Sequence, residues 1–359
     1  MDEVKNGAEN KQVLTENEQC PNCGNNLKFD PKTQSLYCEY CETSVAINQN
    51  FAYEEKDLNL GVLEECDWQE VARAFECENC GARVVLDKNE RASNCPFCNT
   101  PHVVDGKAYA GVKPNVVVPF SVSQEQASES LTKWAKKKFF APSKFKKKFS
   151  PENLKGVYMP CFTFDSNTFS TYHGRIGNRY TRTVGSGKNR RTESYIVWRT
   201  ISGNFSYFFD DITITAGDKL SDDNLKKTGG FPSENNRVYD DKYLYGFMAY
   251  AKTRRVDDCW AQARGEMDAR LKRLILNQYS YDVVDYVRVT TKHSNARYKH
   301  TLVPVYVGNF KYGKKDYNFI SNGVTSKCDG KTPVSPIKVS VFSLFIAGIL
   351  ALLYFLLFT

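Results

Sequence analysis

Eight of the twelve cysteines fall into two sets of four: Cys20, Cys23, Cys38 and Cys41, then Cys77, Cys80, Cys95 and Cys98. Each set reads C-x2-C, fourteen residues, C-x2-C, and the second repeats the first at an offset of 57 residues. Two-residue spacing lets both sulfurs of a tight turn face one ion, so each set suits a tetrahedral zinc site. Four protein thiolates leave no coordination position for water, which makes two Zn²⁺ ions of structural rather than catalytic type the expectation. His102, just after Cys98, reads as a bystander.

The elements that must hold these thiols are short. Gly24 and Gly81 follow the first pair of each set, where the chain turns sharply. Between the pairs, residues 27–29 and 35–37 flank a turn at residues 30–33, and residues 83–86 lead into a turn at residues 87–90. Strand, turn and strand between two cysteine pairs describes a zinc ribbon, a small β unit whose ion supplies on the order of 10 kcal/mol of folding energy. The expected layout is a disordered tail (1–15), ribbon 1 (16–48), a linker (49–72) and ribbon 2 (73–104).

Charge narrows the partners. Residues 1–110 carry 10 Lys+Arg and 20 Asp+Glu, a net of −10, whereas the rest of the 49 and 41 leaves 39 basic against 21 acidic, a net of +18. Two four-thiolate zinc centres would make the N-terminal part more negative still. A phosphate backbone demands Lys and Arg, so the ribbons are expected to be protein-interaction or domain-packing modules, with nucleic acid disfavoured. A hydrophobic content of 41% with 25% charged residues excludes global disorder. The closest approach to a phosphate loop, Gly185-Ser186-Gly187-Lys188-Asn189, has no Ser or Thr after its lysine and carries Arg182 where the first glycine belongs, which weighs against a helicase or ATPase motor.

Residues 111–326 alternate strand-like and helical patterns, as expected of an α+β domain with antiparallel strands and two helices. The first helix spans 124–140 with Ala127, Leu131, Trp134, Ala135 and Phe139 on one face; the second, capped by Asp257, buries Trp260, Ala263, Met267, Leu271 and Leu274. Aromatic and β-branched runs at 156–164, 168–174, 193–201, 204–215, 281–291, 296–310 and 317–321 read as separate strands. Residues 156–163 (GVYMPCFT) echo residues 300–307 (HTLVPVYV), and a helix precedes each, so the domain carries the pattern of an internal duplication. Cys66, Cys161, Cys259 and Cys328 read as ordinary core or loop residues, and Asp210-Asp211, Asp240-Asp241 and Asp257-Asp258 as turn and cap positions. His173, His293 and His300 fit no triad or metal spacing, so neither an enzyme nor a small-molecule substrate is expected.

Residues 339–359 hold no charged residue, and 21 residues at 1.5 Å span about 31 Å, the thickness of a bilayer core. Lys327, Lys331 and Lys338 precede this stretch, and no export signal opens the chain. The expectation is a single-pass, tail-anchored protein of the cell membrane with its N-terminal part in the cytoplasm, joined to the anchor by a linker at 327–338. A second basic feature lies at Lys133, Lys136, Lys137, Lys138, Lys144, Lys146, Lys147 and Lys148, eight lysines without an acid or arginine among them. Phe139, Phe140, Phe145 and Phe149 interleave with these lysines, and the segment is read as facing an anionic membrane surface or another anionic ligand.

Taken together, CPNCGNNLKFDPKTQSLYCEYC, CENCGARVVLDKNERASNCPFC, KPNVVVPF followed by a helix, LKGVYMPCFTF and the C-terminal span resemble the YdjG-like zinc-ribbon membrane proteins of bacteria and archaea. Members are often labelled TFIIB-type zinc ribbon-containing protein or, from the ribbons alone, PriA-like replication restart helicase. The resemblance implies an adaptor at the membrane, associated with membrane stress. The functional expectation is a non-enzymatic scaffold for cytoplasmic or membrane-associated protein partners. The alternatives are a membrane-tethered nucleic-acid-binding protein linked to replication or transcription, and a hydrolase or transferase whose site the sequence does not display.

Overall fold

The computed structural model describes residues 19–48, 50–58, 73–86, 92–103, 113–151, 154–187, 190–313 and 315–358. The expected tail at 1–15, most of the 49–72 linker with Cys66, and the turn at 87–90 lie outside the described residues. The first cysteine set carries a three-stranded antiparallel sheet of β1 (Lys28–Asp30), β2 (Ser35–Tyr37) and β3 (Ser44–Ala46). After β4 (Lys56–Asp57), the second set carries two hairpins, β5 (Arg73–Glu76) with β6 (Arg83–Leu86), and β7 (Ala92–Asn94) with β8 (Pro101–Val103).

The second hairpin pair does not stand apart as a separate ribbon would. Strands β5 and β6 are the edge of an eleven-stranded sheet that runs through the remainder of the fold. That sheet is built from β9 (Val116–Val117), β10 (Lys155–Val184), β11 (Arg191–Thr215), β12 (Arg237–Val238), β13 (Met248–Tyr250), β14 (Val283–Tyr312), β15 (Lys315–Asn322) and β16 (Cys328–Gly330), with β4. Its helices are α1 (Gln124–Lys137), α2 (Ser143–Lys148), α3 (Asp222–Lys227) and α4 (Val256–Leu276); a fifth helix, α5 (Pro336–Phe358), follows. The sheet is therefore mixed, with parallel pairs at β9–β14 and β10–β13 among antiparallel ones.

At its centre the two echoing segments pair with each other. Strands β10 and β14 run antiparallel with Met159 opposite Val303, Tyr158 opposite Pro304 and Pro160 opposite Leu302. Met159 and Val303 are also the matching positions of the echo, so a local two-fold axis passes between them. The flanking strands obey it: β13 joins β10 at Val157 and Tyr158, and β9 joins β14 at the matching Thr301 and Leu302. Each half thus reads short strand, helix, long strand, and each short strand pairs with the long strand of the other half.

Alternation along these strands separates two cores. Tyr158, Leu302 and Tyr306 face α1 and the first cysteine unit, together with Phe29, Leu36 and Leu131. Val157, Met159, Val303 and Val305 face the second cysteine unit, together with Phe75, Ala82 and Val84. The two cysteine units therefore sit on opposite faces of one sheet. Gly156 admits a close approach, since a Cβ there would lie 2.5 Å from the Phe247 ring that stacks on Phe120.

Helix α1 begins where Ser123 and Gln126 form a reciprocal cap, at 3.4 and 2.9 Å, and buries Ala127, Leu131 and Ala135. It stops at Lys137, short of the expected 140, because Pro142 follows closely. Helix α4 buries Val256, Cys259, Ala263, Met267, Leu271 and Ile275. Asp257 does not cap it: Arg255 occupies the cap position, and Asp257 and Asp258 lie in the first turn, where their charge favours the helix dipole.

The separate strands expected at 156–164 and 168–174, at 193–201 and 204–215, and at 281–291 and 296–310 are three continuous ones. Two of the expected breaks are bulges, whereas residues 202 and 203 continue the ladder without a shift. Register shifts fall at Phe164/Ser166 and Asp165/Asn167, and Asp211 and Asn295 adopt positive φ at the same level. An ion cluster holds this kink. The buried Lys299 ammonium lies 2.5 Å from Asp211, 3.2 Å from Glu55 and 4.0 Å from Asp165, whose carboxylate accepts the Asp211 N–H at 2.7 Å. Asp210-Asp211 is therefore a bulge, not a turn or cap.

Two measurements follow. Lys299→Met leaves the Asp165 and Asp211 carboxylates without their cation and should cost about 3–5 kcal/mol in denaturant melts. Burial, with the charges of Lys252 and Lys56, pushes the fully buried His300 down to about 3 from its ordinary 6.5. The unfolded chain takes up that proton and the folded chain does not, so this stability is complete above pH 6.5 and lost as pH falls toward 3. His300→Phe should gain thermal stability relative to the parent as pH is lowered through that window, and identical slopes would refute the assignment.

Candidate metal centres and the basic segment

The eight predicted cysteines converge as two clusters. In each, one sulfur from every cysteine lies within 4.8 Å of the other three. The closest pairs are Cys20–Cys41 at 3.4 Å and Cys23–Cys38 at 3.5 Å, then Cys77–Cys98 at 3.5 Å and Cys80–Cys95 at 3.6 Å. A tetrahedral ion with metal–sulfur bonds of about 2.3 Å sets its sulfurs about 3.8 Å apart, whereas a disulfide needs about 2.05 Å. Both clusters fit a metal ion, and among the described residues no cysteine is disulfide-bonded.

Backbone geometry explains why the pairs close. After each C-x2-C the next residue turns back, donating its N–H to the first cysteine's carbonyl: Gly24 to Cys20, Glu42 to Cys38, Gly81 to Cys77 and Asn99 to Cys95, at 2.7–2.9 Å. All four have positive φ, from 59° to 74°. Glycine supplies that conformation without strain in two cases, and Glu42 and Asn99 adopt it in the others. The left-handed turn at Glu42 carries no glycine signal in the sequence.

A second repeated contact also escapes the sequence. Thr43 lies with its hydroxyl 3.1 Å from Cys41 Sγ, and Thr100 places its own 3.2 Å from Cys98 Sγ. Both threonines stand two residues after the last cysteine of their set, again 57 apart. The Thr43 hydroxyl and N–H bring Cys41 down to about 6. At Cys98 burial opposes the change, but the same two groups of Thr100 prevail and the thiol also falls to about 6. Each cluster thus contains a thiol readily deprotonated at neutral pH, the form that binds metal.

A third group of carboxylates, Asp165, Asp210 and Asp211, also converges. Lys299 already supplies its cation, so it is a charge-compensated kink of the sheet. Cys161 and Cys259 are buried, and burial raises both thiols, Cys259 to about 11. His293 pairs with Asp268 at 3.2 Å, and His173 lies 3.4 Å from the Tyr286 hydroxyl.

The eight lysines lie on the last turns of α1, on α2 and on the loop between them. The segment's four phenylalanines do not share a surface. Phe145 and Phe149 are buried against Phe310 and Phe319, because α2 turns one face to the sheet. Phe139 and Phe140 are exposed, and both meet Phe342 of α5 at ring distances of 6.0 and 5.5 Å. Lys338 donates to the carbonyls of Ala141 at 2.8 Å and Phe139 at 3.3 Å, and the Ser335 N–H to that of Phe140 at 2.8 Å. The basic segment is therefore docked on the first turns of α5, whose mean hydropathy is 2.5 and which is long and apolar enough to cross a membrane.

Metal analysis of anaerobically purified chain should return two ions per molecule, and Cys23→Ser or Cys80→Ser should each remove one. The consequences should differ in extent. Cys80→Ser should also loosen β13, because β6 pairs with it at Val85 and Val84, and hydrogen exchange at Ala249 and Tyr250 should rise in that variant alone.

No family model and no solved structure matches the chain. Over 336 residues it is 26% identical to the uncharacterized protein YdjG of Bacillus subtilis strain 168, a likeness that spans 92% of this chain and 93% of that one. Likeness over nearly the full length of both proteins supports a YdjG-like family.

Proposed function

We propose that the chain is a membrane-anchored, non-enzymatic scaffold whose folded part engages a protein partner in the cytoplasm. In this reading both cysteine units are zinc ribbons. Four thiolates of soft character select zinc over calcium or magnesium, and a closed four-thiol set makes the ion structural. Helix α5 is the single membrane span, and Lys327, Lys331 and Lys338 before it keep the folded part on the cytoplasmic side.

The observation that carries the scaffold reading is the end of the β10–β11 hairpin. Strand β14 leaves it at Gly177, and beyond that point residues 178–184 and 191–197 continue as a two-stranded arm. The arm exposes Tyr180, Tyr195, Ile196 and Val197 at 37–50% of their surface. Isolated two-stranded arms are marginal in water, and exposed apolar side chains on one mark a contact surface. The buried, proton-holding Cys161 and Cys259 support a non-catalytic role.

A second reading has its own observation. Arg179, Arg182 and Arg191 lie on this arm and Arg175 and Arg199 just before it, with Glu193 pairing Arg182 and Arg191. A β-ribbon of this width fits the DNA major groove, which favours the membrane-tethered nucleic-acid binder.

The test uses the full chain. Removing residues 336–358 should release it from membranes, and protease added outside sealed cells should leave the intact form uncut. A photocrosslinker at residue 194 should give a discrete protein adduct that disappears in Tyr180→Ser/Tyr195→Ser/Val197→Ser, with membrane fraction and metal content unchanged. No adduct, with DNA retention that falls steeply with salt and needs the arginines, would replace the scaffold by the second reading.

A further inference from the structure

The contact between the basic segment and α5 fixes where the lysines stand relative to any bilayer that α5 enters. Lys338 is in the first turn of that helix and is bonded to the loop at Phe139 and Ala141. Phe342 lies one turn further on, about 6 Å along the axis, and packs on Phe139 and Phe140. Phe139 and Phe140 are 63% and 37% exposed. Their place beside the first apolar turn of α5 is the level at which aromatic side chains settle between headgroups and acyl chains.

The charges surround that point. Lys136, Lys137, Lys144, Lys147 and Lys148 are exposed and have no carboxylate partner among the described residues. Three further lysines are engaged: Lys133 with Glu129 at 3.5 Å, Lys138 over the Trp134 ring at 4.6 Å, and Lys146 with the Lys136 carbonyl at 2.8 Å. The last contact clips the end of α1 to α2, so the unpaired lysines on both helices form one patch. Phe145 and Phe149 root that patch in the core through Phe310 and Phe319. A bundle of like charges held rigidly without acids is costly unless anions meet it.

We propose that residues 133–148 form a collar that binds the headgroups of anionic phospholipids in the leaflet where α5 enters, so that the folded domain lies against the membrane in one orientation. The inference rests on the reading of α5 as a membrane span. Compact ammonium groups without arginine suit diffuse attraction to an anionic surface better than bidentate reading of individual phosphates. The attraction decays over a Debye length of about 8 Å at physiological salt, so it requires the short tether that the Lys338 contacts supply.

The experiment reconstitutes the full chain in vesicles of phosphatidylcholine alone or of phosphatidylcholine with phosphatidylglycerol. Lysine acylation at Lys144, read by mass spectrometry with Lys292 as internal reference, reports the collar. Acylation of Lys144 should fall about fivefold in the anionic vesicles and recover at high salt. Protection should vanish when Lys136, Lys137, Lys147 and Lys148 become Gln and persist when they become Arg, with both variants retaining the parent's melting temperature and metal content. Equal acylation in both vesicle types, or protection that survives in the Gln variant, would overturn the collar alone. Protection produced in neutral vesicles by inorganic phosphate or an oligonucleotide would replace lipid by that ligand. Extraction of the parent chain from vesicles by alkaline carbonate would overturn both the collar and the membrane span.

Discussion

The antiparallel pairing of β10 with β14 is the constraint on which the rest of the molecule depends. It places Met159 against Val303, and from that register the flanking strands of the large sheet take their positions: β13 on one side, β9 on the other, then β6 and β12 beyond them. Each short strand attaches to the long strand of the opposite half, so neither half presents a complete sheet edge to its own helix. The pairing spans residues 144 apart in sequence, as at Met159 and Val303, and such contacts pay their chain-closure entropy before the sheet rewards it.

The cysteine clusters are tied to this sheet in different ways. The first packs its small sheet under α1, with the Phe29 N–H donating to the Tyr245 carbonyl at 3.0 Å, while the second contributes β5 and β6 to the large sheet itself. Within each cluster the same local device recurs: a left-handed residue after each cysteine pair, and a threonine hydroxyl on the last sulfur. Identical local chemistry with different attachment means that closure of the second cluster is coupled to the register of the central sheet and closure of the first to the packing of its aromatic core.

Charge does two separate tasks in the large domain. At the level of Asp165 and Asp211 one buried lysine compensates carboxylates brought in by two strands and by Glu55, and the strands bend there without breaking. At the start of α5 the lysines stay on the surface and the contacts to the helix are made by carbonyls and aromatic rings instead. The arm that carries arginine and exposed tyrosine is the end of the β10–β11 hairpin, whereas the collar lies on α1 and α2 beside α5, so the membrane-directed and partner-directed features that we propose occupy different elements of the fold.

The local features were legible from the residues themselves. Cysteine spacing and repeat, the stripe of α1, the buried face of α4 and the apolar length of α5 all arise from neighbours a few positions apart, where periodicity and turn chemistry suffice. The echo of residues 156–163 in 300–307 was visible too, but its meaning was not: that the two copies pair with each other across a two-fold axis is a matter of long-range register. Polar residues interrupt the apolar pattern at Asp165, Ser202 and Asn295, but Lys299 and the bulges carry the strands through the first and last, and Ser202 simply pairs with His173. Asp257 suits a cap by its side chain; the helix starts two residues earlier than that cap would place it, at Val256, whose burial against the sheet outweighs the missing cap bond. Phe145 and Phe149 were indistinguishable in sequence from Phe139 and Phe140, and only the docking of α2 on one side and α5 on the other sorted them into core and surface. Spacing along the chain determines which side chains can act together locally, while burial and distant partners, decided by the tertiary fold, determine which of them do.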